Sequence, residues 1–411
     1  MIPFPLHLES LLGKPLMYLV FLLIGFLFGY VLEISGFNHS PSLASQFYFK
    51  DLRVFKVFFT AIVVAMLLIF ASTAIGLLDY NLIWVNPTYL WSGIVGGLIM
   101  GVGFILGGFC PGTSLVALAT LKIDGIFFVL GSLVGVTVFG ETVDLYRYFF
   151  NGSYFGRLTL MDVFNLPAGI IVILVTLMAV FMLWGGEQLE KIYGKKDPSK
   201  APKARYYGAV VLIGLAISIA IIGQPTTEDR WSRLESSRAE ALSNREVYVH
   251  PGELLDTVHN HKINLMMIDV RSEADYNLFH LLDAVHMPPE EIPAAIDDLI
   301  AMPSNTVYVV MSNDETAATD VWKMLTAEAV PNVYILSGGI NNWLDTFATV
   351  FEEDYCGKAI EAEDDQLHYE FNAALGSNCP AAYPDHDQYH FEYEEKIKLD
   401  IKRAPVGGGC G

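Results

Sequence analysis

Six long apolar runs before residue 224 constrain the fold more than any other feature of this sequence. They cover roughly residues 16–32, 54–78, 89–109, 125–143, 166–184 and 207–223. Each run is close to the ~20 residues that an α-helix needs to cross the hydrocarbon core of a bilayer. The sequence therefore predicts a polytopic α-helical membrane protein with about six spanning helices. No basic segment or small-residue cleavage site precedes the first run, so we interpret that run as an uncleaved span.

Charge divides the chain at the same place. The membrane half, positions 1–223, holds 13 basic and 11 acidic side chains (+2), whereas positions 224–411 hold 12 basic and 34 acidic side chains (−22). No segment has a basic face dense enough to neutralise phosphates, so nucleic-acid binding is excluded. With 53% hydrophobic residues, the chain is not disordered over most of its length. Four cysteines in 411 residues do not form a disulfide scaffold.

The membrane loops differ in their content of Lys and Arg. The loop after the fifth run carries six basic residues and the loop after the first carries Lys50 and Arg53, whereas loop 79–88 carries none. Because basic loops remain in the cytoplasm, these two loops are predicted to be cytoplasmic and the N-terminus to face outward. An even number of crossings then places the C-terminal half on the periplasmic side of a bacterial inner membrane. One miscounted crossing would reverse that last assignment.

The membrane half contains an internal repeat, with copies at about 22–59 and 94–131. When Gly36 is placed on Gly108, without gaps, nine identical residues align over about 33 positions. The shared residues are Gly25/Gly97, Gly29/Gly101, Gly36/Gly108, Phe37/Phe109, Ser42/Ser114, Leu43/Leu115, Lys50/Lys122, Phe55/Phe127 and Val57/Val129. In the predicted topology both copies run in the same direction, related by an axis along the membrane normal.

Each copy contains a helix break. The first break, residues 35–43, reads Ser-Gly-Phe-Asn-His-Ser-Pro-Ser-Leu, and the second break, residues 107–115, reads Gly-Gly-Phe-Cys-Pro-Gly-Thr-Ser-Leu. Pro111 suits the first position of a new helix, so each break is predicted to begin a re-entrant half-helix. Irregular backbone at membrane depth is tolerated only where it lines a cavity or is buried in protein. The N–H groups of a half-helix N-terminus favour an anion, and Cys110 adds a polarisable thiol.

The same features have a purely structural interpretation. Glycines at this spacing allow helices to pack closely, and a single membrane cysteine is usually a small, inert hydrophobic residue. Lys50 and Lys122 are then anchors at the membrane surface, on the predicted cytoplasmic flank. Both interpretations remain open from the sequence alone.

The second break, followed by Lys122-Ile-Asp-Gly125, resembles the signature of the YeeE/YedE sulfur-transport family, as does the glycine spacing of the first copy. The resemblance covers about residues 15–145. It implies transport of a sulfur anion such as thiosulfate, passed along pore cysteines by transient S–H···S contacts. Only Cys110 matches such a position, and Asn38 occupies the equivalent place in the first copy, which leaves room for a different sulfur anion. The resemblance and the breaks together predict a substrate pathway at Asn38, His39, Ser40, Ser42, Lys50, Gly108, Cys110, Pro111, Gly112, Thr113, Ser114 and Lys122.

The C-terminal half divides into three parts. Residues 224–246 are polar and predict a linker with a short juxtamembrane helix. Residues 247–351 alternate short apolar strands with helical patterns, which indicates an α/β domain with a parallel sheet. Residues 352–411 form an acidic tail that ends Gly-Gly-Gly-Cys-Gly. The periodicity of the tail is weak, so no secondary structure is predicted there.

The α/β part is similar to rhodanese domains over about 105 positions. The matching positions are Asp269, Arg271, Tyr276, His280, Ala284, Gly338, Gly339 and Trp343. The resemblance implies a persulfide-carrying cysteine at the end of a strand, but this position is Ser312, followed by Asn313, Asp314 and Glu315. A hydroxyl cannot replace a reactive thiolate, and the two carboxylates would repel thiosulfate. The domain is therefore predicted to be catalytically inactive, with Arg271 and His280 serving the fold.

The remaining cysteines, Cys356, Cys379 and Cys410, follow the domain. Outside the cytoplasm Cys356 and Cys379 are able to pair. Cys410 is either a mobile thiol or part of an ordinary free tail. His386 and His390 lack a specific metal-ligand spacing, so neither a metal site nor a cofactor is predicted.

The sequence thus favours membrane transport of a small sulfur-containing anion, with an inactive rhodanese-like accessory domain. The alternative is a membrane-anchored scaffold or receptor whose C-terminal half binds a partner protein. An active sulfurtransferase is the weakest interpretation. The lipid bilayer is an implied partner in each case, and a homo-oligomer is compatible with the sequence.

Overall fold

A computed structural model describes residues 4, 6, 8–83, 85–195, 203–303, 305–348, 357–363, 365–371, 374 and 376–399. The chain separates into two compact units that divide between Gln224 and Pro225. We call them the membrane unit and the C-terminal unit. The expectations for Cys356, Cys410 and the Gly-rich end concern residues outside those described.

The membrane unit is helical. Its long helices are α1 (Leu8–Ile34), α3 (Arg53–Ala74), α4 (Leu90–Gly107), α6 (Ile123–Thr142), α9 (Ala168–Ile192) and α10 (Ala204–Ile222). Its short helices are α2 (Ser40–Ser45), α5 (Pro111–Ala119), α7 (Arg147–Phe150) and α8 (Leu160–Phe164). Six helical segments are long and apolar enough to cross a membrane, as the sequence predicts, with α4 and α5 forming one such segment. A re-entrant path for α2 and α5 stays a prediction.

Helices α3, α9 and α10 form the most closely packed part of this unit. Val63 and Leu67 of α3, Val172 and Ala179 of α9, and Ala216 and Ile219 of α10 build a shared apolar core. Many outward apolar side chains of the other helices are exposed, among them Phe26, Leu106 and Val136. An exposed apolar surface of this extent is characteristic of a membrane-facing protein.

The C-terminal unit contains a five-stranded parallel sheet with helices on both faces. The strands, in chain order, are β1 (Tyr248–Val249), β2 (Asn264–Asp269), β3 (Val285–His286), β4 (Thr306–Met311) and β5 (Val333–Leu336). Their order across the sheet is β1-β5-β4-β2-β3, and every pair is parallel. All six residues of the central strand β4 are buried. Such a continuous apolar run is typical of a strand covered on both faces.

Two apolar cores lie on opposite faces of the sheet. The helices of this unit are α11 (Thr227–Ser243), α12 (Pro251–Val258), α13 (Glu273–Leu278), α14 (Ile292–Ala301), α15 (Thr316–Ala327) and α16 (Gly339–Phe347). The predicted juxtamembrane helix is α11, and it packs on α15. The Trp231 ring meets the Trp322 ring edge-on, and Arg230 forms an ion pair with the buried Glu328.

The described part of the acidic tail is folded onto the C-terminal unit, which the weak periodicity of the sequence did not predict. Strands β6 (Lys358–Ala359) and β7 (Tyr369–Glu370) pair antiparallel. Leu367, Tyr369 and Phe371 are buried in the same core as Phe347 of α16. The indole Nε1 of Trp343 donates to the carbonyl of Ala381 at 2.7 Å. The tail is therefore an integral layer of this unit.

Candidate functional site

The two breaks have equivalent backbone geometry. Helix α1 ends at Ile34 and Gly36 follows with φ +81°, whereas α4 ends at Gly107 and Gly108 follows with φ +70°. This left-handed conformation favours glycine. Gly36 and Gly108 are equivalent positions of the two copies, so the repeat found in the sequence also exists in the backbone. Helix α5 begins at Pro111, as predicted.

The structure brings the two breaks together. A Cβ atom at Gly108 would overlap Ser40 Oγ, so the second break approaches the first without room for a side chain. Phe37 and Phe109, at equivalent positions, are both 1% exposed and share an apolar cluster. Buried aromatic residues thus hold the breaks side by side beneath the polar positions.

Cys110 caps the N-terminus of α5. Its Sγ accepts hydrogen bonds from the Thr113 N–H at 3.4 Å and from Thr113 Oγ1 at 3.3 Å, while the Cys110 N–H donates to Thr113 Oγ1 at 2.9 Å. Thr113 and Ser114 are buried, and Ser114 Oγ donates to the Pro111 carbonyl. Gly112 lies in the same first turn of α5. The thiol is therefore at the electropositive end of a nine-residue helix, where partial positive charge accumulates.

Asn38 occupies the position equivalent to Cys110. Its side chain is 6% exposed, and the buried Oδ1 atom has no hydrogen-bond partner among the described residues. An unsatisfied buried polar atom costs ~1–3 kcal/mol. The unpaired Asn38 oxygen therefore indicates that a hydrogen-bond donor can bind at this end of the first break.

Lys122 extends from the second copy to the first break. Its Nζ atom lies 3.0 Å from Nδ1 of His39, the N-cap residue of α2. Lys122 thus contacts the other copy of the repeat, and its role as an anchor at the membrane surface stays a prediction. Lys50, the equivalent lysine, lies over the ring of Tyr48 at 5.9 Å, and its carbonyl is next to Gly194. Ser42 donates its N–H to the His39 carbonyl at the start of α2.

The loop after β4 in the C-terminal unit is closed by its own side chains. Ser312 is 1% exposed, and its hydroxyl donates to the Asp314 carbonyl and accepts from the Ala318 N–H. The Asp314 carboxylate accepts the Thr316 N–H at 2.7 Å, and the Glu315 carboxylate accepts the Gly338 N–H at 2.6 Å. Carboxylates thus occupy the Thr316 N–H of this loop and the Gly338 N–H at the start of α16.

Comparison with known proteins gives one family match for each half of the chain. Residues 35–238 match the family described as sulphur transport, and residues 250–346 match the rhodanese-like domain. The chain is thus similar to the sulphur-transport family over one region and to rhodanese-like domains over the next. The thiosulfate transporter TsuA of Spirochaeta thermophila is 27% identical over 218 residues, which are 49% of this chain and 62% of that protein. The chain thus covers less than two thirds of this relative's length. No solved structure matches.

In the rhodanese-like domain, Arg271 and His280 serve the fold, as predicted. The buried Arg271 guanidinium donates to both carboxylate oxygens of Asp269 and to the Phe279 carbonyl. The His280 ring stacks on Tyr276 with centroids 4.0 Å apart. The Arg271 guanidinium is thus held entirely by groups of the fold.

A segment of the tail covers the closed loop. Asn313 Nδ2 donates to the Asp365 carbonyl at 3.1 Å and Asn341 Nδ2 donates to the Gln366 carbonyl at 2.8 Å. Burial, the neighbouring Asp314 and the charge of Asp275 raise the pKa of Asp365. The carbonyl groups of Asp365 and Gln366 therefore lie against Asn313 of the loop after β4 and Asn341 of α16.

In the membrane unit, Glu190 connects the end of α9 to the start of α3, a contact that the sequence analysis did not predict. Its Oε1 atom accepts the Leu52 N–H at 2.7 Å at the start of α3, and its other oxygen pairs with Lys56. The only sequence signal was a carboxylate at the end of an apolar helix. This contact places the two basic loops on the same side of the unit, which agrees with the predicted topology.

The cysteines and histidines after the domain have structural roles where they are described. Cys379 is disulfide-bonded and buried. His386 bonds to the Asp256 carboxylate at 2.8 Å. Among the described residues no group of histidine, cysteine and carboxylate side chains is arranged to hold a metal ion.

Proposed function

We propose that the protein moves a small sulfur-containing anion such as thiosulfate across the membrane, along a path between the two breaks. The observation that carries this proposal is the contact between the breaks, at Gly108 and Ser40, with the Cys110 thiol at the start of α5. The sulphur-transport match and the similarity to a thiosulfate transporter support it.

The residues around the breaks supply complementary chemistry. Helix α5 presents its positive end, the Asn38 amide can donate from a buried position, and Lys122 adds a full positive charge. The Cys110 thiol offers a weak S–H donor and a polarisable surface to the terminal sulfur of thiosulfate. Because these interactions are individually weak, the anion can be released as well as held.

The test is uptake of ³⁵S-thiosulfate by liposomes containing the purified full chain. We expect the Cys110→Ala variant to lose most uptake, because the only sulfur contact at the breaks is removed. Cys110→Ser should retain the cap of α5 but transport poorly, since its oxygen is less polarisable. Uptake by Cys110→Ala equal to that of the unaltered protein would remove the thiol from the path.

We further propose that the rhodanese-like domain is catalytically inactive. A Ser312→Cys variant restores the thiol but leaves Asp314 and Glu315 on the loop donors, so we expect no thiosulfate:cyanide sulfurtransfer from it. Replacing both carboxylates as well, in a Ser312→Cys/Asp314→Gly/Glu315→Gln variant, is the matched comparison. Activity in Ser312→Cys alone would show that the carboxylates do not block the loop.

The second candidate function is a membrane-anchored scaffold, in which the closed, acidic rhodanese-like domain binds a partner. The observation that favours it is the cover over the Ser312 loop, which leaves the domain a surface without an open site. Full-length protein that binds a partner but moves no thiosulfate would support this candidate over transport.

A further inference from the structure

The contact between Lys122 and His39 restricts the protonation state of the His39 ring. The nitrogens are 3.0 Å apart, at hydrogen-bond distance. A lysine ammonium has only donors, so His39 Nδ1 must be the acceptor and cannot carry a proton in this arrangement. The structure thus has one positive charge at this contact and a neutral ring beside it.

Protonation of His39 at Nδ1 would break this hydrogen bond and place two positive charges next to each other. Nothing between the two side chains would then offset their repulsion, unless a negatively charged group entered. A dianion such as thiosulfate matches two adjacent cations, whereas one lysine leaves half of its charge unbalanced. Anion and proton would therefore each favour the binding of the other.

We propose that His39 binds a proton together with the dianion, so that the Lys122–His39 pair couples anion binding at the breaks to proton uptake. This inference rests on the proposed function. One proton from the entry side binds His39 Nδ1, and the Lys122 ammonium turns from the ring to the anion. Departure of the anion releases the proton and restores the hydrogen bond.

The ionisable groups on the elements around His39 include Arg53 and Lys56 of α3, whose Phe58 packs on Phe37, and Lys56 is paired with Glu190. Helix α2, residues 40–45, carries none, and α5 contributes only Cys110. Glu33 lies in the last turn of α1 and Asp124 in the first turn of α6, both exposed. Asp124 is exposed, two residues after Lys122 and outside the proposed pathway, so it is the matched control position.

The experiment uses the full chain in liposomes with a trapped pH-sensitive dye and ³⁵S-thiosulfate. In the unaltered protein, we expect protons to enter with the anion. The apparent KM should rise with pH by at most about tenfold per pH unit, as for one linked proton. His39→Gln keeps an acceptor for Lys122 but cannot bind the proton. It should transport with a pH-independent KM and give no dye response, while Asp124→Asn retains both properties.

Several outcomes would overturn the inference. Thiosulfate uptake by the unaltered protein with a pH-independent KM and no dye response would exclude coupling while leaving the proposed function intact. A His39→Gln variant that keeps the full pH dependence would assign the proton to another group. No thiosulfate uptake by the unaltered protein at any pH would instead refute the proposed function, and the coupling with it.

Discussion

Gly36 and Gly108 have the same left-handed backbone, but their surroundings differ. A side chain at Gly36 would meet no atom within 4 Å, whereas one at Gly108 would overlap Ser40. The first glycine is thus required only for its conformation, and the second also for the contact between the breaks. Equivalent positions of a repeat have acquired different structural roles.

This difference gives a prediction for single substitutions. Gly36→Ala should lower the stability of the chain by about 1 kcal/mol through backbone strain and leave substantial transport. Gly108→Ala should be more destabilising and abolish transport, because the breaks must separate. Thermal unfolding in detergent and ³⁵S-thiosulfate uptake measure the two effects. Gly101→Ala is the control, since that site is open and helical. Similar results for Gly36→Ala and Gly108→Ala would mean that the Ser40 contact is unimportant.

Glu253 binds the backbone near the end of the described tail. Its Oε1 accepts the N–H groups of Lys396 and Ile397 at 2.8 and 2.7 Å, and its Oε2 is buried with no partner among the described residues. Burial raises the pKa of this carboxyl, although the two N–H groups partly oppose the effect. The folded state therefore prefers the protonated acid, so ionisation of the buried Glu253 carboxyl lowers the stability of the fold, even though the two N–H groups themselves favour the carboxylate.

The pH dependence of stability follows from the sign of the shift. The contribution of Glu253 to the stability of the fold is full below the ordinary pKa of 4.5 and is lost as the pH rises through the raised value. Glu253→Gln should remove this dependence and slow the exchange of the core amides of β4 at pH 7. Hydrogen exchange of the full chain at pH 5 and pH 7 measures it, with Glu394→Gln as an exposed control. Equal protection of these amides in both proteins at pH 7 would contradict it.

At the scale of elements, local signals in the sequence predicted more than long-range contacts. The apolar runs predicted the six spanning segments, and Gly108 and Pro111 predicted where α4 ends and α5 begins, because these residues constrain their own backbone. The position of Ser312 directly after the end of β4 was predicted from the buried strand and from the resemblance to rhodanese domains.

Contacts between distant parts of the chain were not predictable in this way. Lys122 meets His39 across 83 positions, and Glu190 meets Leu52 across 138. No secondary structure was predicted for the tail, because its buried residues pack on the surface of α16 and show no helical or strand periodicity in the sequence. Such contacts depend on the packing of whole elements, and a single sequence carries no periodic signal for them.

At the scale of the whole molecule, the topology has a direct test. Helix α3 begins beside the end of α9 through the Glu190 contact, so the two basic loops share one side. The positive-inside rule then predicts that the loop after α9 is cytoplasmic and that the C-terminal half is periplasmic. The disulfide at Cys379 agrees with an oxidising compartment.

Reporter fusions should confirm this arrangement. Alkaline phosphatase, which folds only outside the cytoplasm, should be active when fused after residue 399 and inactive when inserted at residue 195. A fluorescent protein that requires the cytoplasm should give the reverse pattern. Phosphatase activity only at residue 195 would invert the topology and move the C-terminal half into the cytoplasm.

The replacement of a second thiol by Asn38 has a consequence for survival under oxidative stress. Cys110 is the only cysteine in the membrane half of the sequence. If peroxide oxidised Cys110 to a sulfenic acid, no second cysteine in that half of the chain could react with it. The sulfenic acid could therefore not be reversed through a disulfide within the membrane half. Repair would have to come from a diffusible reductant, and on the proposed function a cell depleted of such reductants would lose transport of the sulfur anion.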